Sequence, residues 1–315
     1  MTRPLAPSRR RALAALAAAL ALAVSAVPAA GQEPPVFSPT EELSFDDPES
    51  WAMAWFGSVT VLTGFGVPEP LDPGALELGL EAGWVPSLSE DQRRVGFGGT
   101  KVEDLNRTPV IGRPRLSVGL PGGFALTGAW IPPVEIDGVE TNLFALALAR
   151  ELWAGDRSRG GLRLYGQTGT VEGAITCTAE DAAGGDDPAA NPFGCEAPSN
   201  DELTLTYWGV ELSLAYRAAG GTEPYLAAAV NRFDNEFQVD AFTFGLHDRS
   251  LLLSEGTAWS VAAGLVHPLG DRGRLAGEVF YTPLDVRRLN AEFEPQPEET
   301  DELLNVRLLL SWRLR

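Results

Sequence analysis

The sequence predicts an all-β protein, a transmembrane antiparallel up-and-down barrel of about ten strands. Three observations predict it. Ten segments alternate apolar with polar or small residues at a period of two, so each has one apolar face. Beyond the N-terminal leader, no apolar run approaches the roughly 20 residues that a spanning helix needs. The connections sort into short and long on alternate links, a rhythm that a soluble sandwich has no reason to keep.

Taken in order, Arg3, Arg9, Arg10 and Arg11 precede an alanine/leucine run over residues 12–26 and then small residues around Ala29 and Gly31. That is the pattern of a secretory signal peptide, expected over residues 1–31. Residues 32–74 are expected to form a periplasmic N-terminal segment, rich in proline and acid at its start, with a helix or plug further on. Asp47-Pro48-Glu49 reads as a helix start. The stretch 51–62 that follows fits a helix through Trp51, Trp55 and Leu62, and also a strand through Trp51, Met53, Trp55, Val59 and Val61. A strand there would make eleven. An even count of twelve would need another strand from residues 36–45, where Pro39 and a row of acids make a poor partner.

The barrel is expected over residues 75–315. Residues 75–85 (ALELGLEAGWV) set Leu76, Leu78, Leu80, Ala82 and Trp84 against Glu77, Gly79, Glu81 and Gly83. Residues 110–120 set Leu116, Val118 and Leu120 against Arg113, Arg115, Ser117 and Gly119. Segments 124–131, 143–153, 162–172, 203–217, 225–237, 257–267 and 275–284 follow. In the last segment, 303–315 (LLNVRLLLSWRLR), Leu304, Val306, Leu308, Leu310, Trp312 and Leu314 alternate with a face that carries Arg307, Arg313 and Arg315. Each has about the 9–11 residues of a tilted membrane strand, or more. Links 121–123, 154–161, 218–224 and 268–274 are short; 86–109, 173–202, 238–256 and 285–302 are long, and 132–140 is modest. Trp84, Trp130, Trp259 and Trp312 fall near strand ends, where aromatic girdles sit.

Removing the four leader arginines leaves 20 basic against 43 acidic residues, a net charge near −23. Such a chain is unsuited to nucleic acid, whose binding rests on neutralising phosphates. Cys177 and Cys195, close together in an exported chain, are expected to form a disulfide. By the loop-entropy account it stabilises by about 3 kcal/mol.

The polar faces hold complementary charge. Glu77 and Glu81 on the first strand lie between Arg113 and Arg115 on the second and Arg307 and Arg313 on the last, with Glu278 on the ninth. Ten strands enclose an interior little wider than side chains fill. Unpaired charge there is costly, so these seven residues are expected to pair and fill the lumen. The same charges would also suit a narrow, selective conduit.

The leader, the alternating strands, the sorted loops and the alternating C-terminal strand together resemble a Gram-negative outer-membrane β-barrel protein. The resemblance is architectural, covers residues 75–315, and implies an outer-membrane location, embedding in its lipid, and insertion by the barrel-assembly machinery, which reads the final strand. That strand ends Trp312-Arg313-Leu314-Arg315 rather than on an aromatic residue. No enzyme, cofactor or metal site is expected. A surface protease with paired aspartates opposite a histidine–aspartate pair finds no Asp-x-Asp here. His267 lies at a short turn, and His247 with Ser250 is the one Ser–His candidate near in sequence. The acids of residues 177–202 could supply calcium's oxygens, but their spacing resembles no EF-hand. The expected role is structural or surface interaction, with a channel for small or hydrophobic solutes as the alternative.

Overall fold

In the computed structural model, residues 34–290 and 294–314 are described. The expected leader, residues 1–31, lies outside them. Wherever the alternating pattern runs, the chain extends and its neighbours satisfy the backbone, since lipid offers no hydrogen bonds. The barrel strands, numbered in chain order, are β1 (Leu76–Trp84), β2 (Val110–Leu120), β3 (Phe124–Ile131), β4 (Val139–Ala154) and β5 (Ser158–Gly173). They continue with β6 (Tyr207–Tyr216), β7 (Glu223–Gln238), β8 (Leu251–Leu269), β9 (Gly273–Val286) and β10 (Glu299–Arg313). Each pairs antiparallel with the next, and β10 returns to β1, with Arg313 opposite Glu77 and Val306 opposite Trp84. The wall is closed and has ten strands.

All ten expected segments are strands, several of them longer than expected toward the long-loop end; β8 alone has 19 residues. The expected segment 203–217 is divided. Asp201–Thr204 and β6 are separated at Leu205 and Thr206, yet both keep the same register against β5. Outward positions are apolar: Leu80, Leu146, Leu212, Leu226, Leu265 and Leu308 are all more than half exposed. With no edge and an apolar belt, the barrel is a membrane-spanning architecture, and the chain is an outer-membrane β-barrel. Trp84, Trp130 and Trp259 face outward toward the long-loop end, and Trp312 and Trp153 toward the short-turn end.

Of the segment expected to be periplasmic, residues 32–74, the part from Val36 onward lies at the barrel's rim and in its lumen. Thr40–Leu43 pairs parallel with Leu251–Ser254, and Val36–Phe37 with His247–Asp248, at the long-loop end. Helix α1 (Pro48–Val59) then enters the lumen, and the chain runs on inside the barrel to the short-turn end. There the amide of Gly74 donates to Gly119 O. The first of the two readings of residues 51–62 therefore holds, with ten wall strands; residues 36–43 add short strands at the rim, outside the wall. The helix is ambiguous in sequence because it is buried almost all round, from Trp51 to Val59, and so lacks a polar stripe.

The wall makes room for it. Ala125 and Ala129 of β3, Ala145, Ala147 and Ala149 of β4, Ala227 of β7, and Ala258 and Ala262 of β8 are buried inward-facing positions. A helix is roughly 10–12 Å across with its side chains, and small wall residues leave that width. Trp51, Trp55, Val59 and Leu62 pack there with Tyr165, Tyr207, Phe233 and Phe280. Gly57 admits the Phe233 ring, which a β-carbon would meet at 2.7 Å.

Candidate functional site: the plugged lumen and its outer chamber

Helix α1 ends inside the barrel, leaving carbonyls without helical partners. Three arginines from the wall supply the donors. Arg307 of β10 donates to Val61 O at 2.6 Å, Ser58 O at 3.1 Å and Val59 O at 3.3 Å. Arg113 of β2 donates to Thr60 O at 2.7 Å and Val61 O at 2.9 Å, and Arg115 to Thr63 O at 2.8 Å. Positive charge at a helix C-terminus also complements its dipole. Glu81 holds two of the three: Arg113 reaches both of its oxygens, at 2.5 and 2.9 Å, and Arg115 Nε lies at 2.7 Å.

Of the seven charges expected to pair, the structure joins Glu81 with Arg113 and Arg115. Glu77 lies 3.6 Å from Arg313 and 2.8 Å from Arg274, a partner that the sequence reading had not included. Glu278 and Arg307 stand opposite in register but part company. Glu278 accepts from Tyr225 at 2.6 Å and from Thr63, while Arg307 turns to the carbonyls and lies over the Phe280 ring. Arg313 also pairs with Glu69 of the threading segment. Two further clusters went unnoticed in sequence: Arg163 with Glu211 at 3.0 Å, and Arg159 between Glu151 and Glu223 at 2.6 and 3.0 Å. Arg163–Glu211 and Arg159–Glu151 set opposite charges on adjacent strands, the signal that could have found them, whereas Glu223 lies two strands from Arg159.

Toward the short-turn end the lumen retains a cavity of only about 70 Å³, lined in part by Glu69, Glu77, Arg115 and Arg274. Toward the long-loop end a chamber of about 860 Å³ opens over α1, bounded by Met53 and Phe56 of the helix and by Leu203, Phe237 and Leu252.

The loops above it are joined. Cys177 and Cys195 form a disulfide with Cα atoms 5.6 Å apart, both cysteines buried. Lys101, the only lysine, had no role in the sequence reading. It is buried, 2.8 Å from Glu103 and 3.3 Å from Asp181, and donates to Thr176 O at 2.7 Å. It thereby joins the β1–β2 loop to the disulfide loop. Burial pushes the Glu103 carboxyl up to about 7, although Lys101 pulls the other way. Partial burial works against Asp181, yet the Thr178 amide and Lys101 hold it below its ordinary range.

Two acids of that loop are engaged by local donors. Asp201 accepts from the amides of Ile175, Thr176 and Asp240, and Asp181 caps its short helix. The Ser–His candidate is not assembled: His247 Nε2 sits 2.6 Å from Asp240, and Ser250 Oγ donates to Asp248.

No family model and no curated protein matches the sequence. Among solved structures, the fold is similar to an outer-membrane channel from Pseudomonas putida F1, at 10% identity over 81% of this chain and 100% of that one, with a TM-score of 0.42. It is similar also to the outer-membrane protease OmpT from Escherichia coli, at 11% identity over 76% of this chain and 94% of that one, TM-score 0.37. A third is Ail, the attachment invasion locus protein of Yersinia pestis, at 10% identity over 77% of this chain and 100% of that one, TM-score 0.28. The likeness is to barrels with differing roles and assigns none of them to this chain.

Proposed function

We propose that this outer-membrane barrel is a plugged scaffold with a surface-interaction role, its working face being the long-loop end. One observation carries the reading: Arg113, Arg115 and Arg307 fasten the backbone of residues 58–63 across the bore. Removing the plug would strand Arg307 and leave Arg113 and Arg115 with Glu81 alone, and a buried charge left without its partners costs several kcal/mol. Short turns lie on the periplasmic side in this class, so the joined loops face outward. Lipid surrounds the apolar belt, the final strand is what the assembly machinery would read, and the net charge near −23 sets nucleic acid aside. We propose no catalytic role.

Purified protein in planar bilayers tests this. The expected record is silent, without discrete steps, at voltages that leave the fold intact. Regular conductance steps would overturn the reading in favour of a conduit. The chamber over α1 is the observation that favours that second reading, in which a small apolar solute enters from outside and α1 moves aside.

A further inference from the structure

The chamber over α1 is too large and too apolar to be a packing defect of the loops. At about 860 Å³ it falls within the range of small-molecule sites. Four phenylalanines, Phe37, Phe56, Phe97 and Phe237, contribute to its lining. Apolar surface of this kind binds by releasing water, and aromatic faces also attract cations.

Its charge is one-sided. Glu41, Asp47, Glu49, Glu103 and Asp248 line the chamber, against the single guanidinium of Arg287. Arg287 is engaged by Asp46 at 2.7 Å, and Glu103 by Lys101. The other four carboxylates have no cationic partner among the described residues. Asp47 accepts from the Ser44 amide, Glu49 from the Gly98 amide, and Asp248 from Ser250. A carboxylate beside apolar surface gains most from a charged donor, while an anionic ligand would be repelled from every side.

We propose that the chamber binds a small apolar molecule carrying one cationic amine, with the apolar body over Met53, Phe56 and Leu252 and the ammonium toward Glu41 and Glu49. This names the ligand class of the outward face and rests on the plugged reading, because α1 is the chamber's floor. A silent barrel that does not bind, or a conducting barrel that does, separates the failure of one proposal from that of the other.

Three probes with one ring system test it: 1-naphthylmethylamine, 1-naphthalenemethanol and 1-naphthoate. Each is titrated calorimetrically into the protein in phosphatidylcholine nanodiscs, with empty nanodiscs as the blank. The amine is expected to saturate at one per barrel and to bind at least ten-fold tighter than the carboxylate. Its affinity should fall as salt rises while that of the alcohol does not. The double variant Glu41→Gln with Glu49→Gln keeps hydrogen-bond acceptors in place and should bring the amine down to the alcohol's affinity. Binding no greater than in empty nanodiscs would overturn the proposal, as would equal binding of the carboxylate. So would an amine affinity indifferent to salt, a measurement on the unmodified protein that does not depend on the variant's folding.

Discussion

Glu81 is 1% exposed and holds two guanidiniums that in turn hold the plug. Glu81→Gln would leave Arg113 and Arg115 in the bore without their counter-charge. Breaking a buried pair in this way costs about 3–5 kcal/mol. The expected result is a clear fall in the temperature at which the folded protein's electrophoretic mobility shifts; an unchanged midpoint would show that the carbonyl contacts suffice. The Glu81–Arg113 pair was legible because the two stand in register on neighbouring strands with the same inward parity. Arg307 was not, although its register partner is Glu278. Its acceptors are carbonyls of a segment threaded through the lumen, and strand periodicity carries no trace of what a barrel encloses. Glu77 shows the intermediate case: Arg313 was expected beside it, whereas Arg274, the nearer partner, was overlooked on the same inward face of β9.

At the scale of elements, β4 holds the clue that was present and unread. Its inward row is Ala145, Ala147 and Ala149, with neither the charge of a polar pore nor the bulk that fills a small barrel by itself. Small inward residues on β3, β4, β7 and β8 together imply an occupant. On propensity Gly57 disfavours a helix, and its reason lies in tertiary packing, the approach of Phe233. The Lys101 junction between two loops was invisible because its partners in the second loop, Thr176 and Asp181, lie far along the chain. Its acids titrate in opposite directions. The folded loop favours protonated Glu103, so this contribution is complete below about 4.5 and is lost as pH rises through about 7. Asp181 is depressed, so its contribution is lost only in more acidic solution, below its ordinary 3.8. Between pH 5.5 and 8, Glu103 therefore decides the sign in a cluster that also includes Lys101, Asp181 and Asp201. Amide exchange over residues 94–103, corrected for the intrinsic rate, should show more protection at pH 5.5 than at pH 8. Glu103→Gln should abolish the difference; protection that increased with pH would refute the assignment.

For the molecule as a whole, strand count and loop rhythm were readable because the membrane imposes them, while the position of residues 36–74 was not. Parity holds for the wall, whose even number of strands returns both its ends to one side, but the N-terminal segment need not stay there. Instead α1 and the residues after it make what amounts to an eleventh crossing, inside the bore. An epitope inserted just ahead of Val36 should accordingly be bound by antibody on intact cells, whereas one inserted in the turn at residues 155–157 should need the outer membrane opened first. Binding only after opening, for both, would place the N-terminal segment on the inner side. The crossing has a consequence for biogenesis. In the proposed orientation, residues 36–45 would have to reach the far face before or while the wall seals, because afterwards the bore is blocked by the very residues that passed through it.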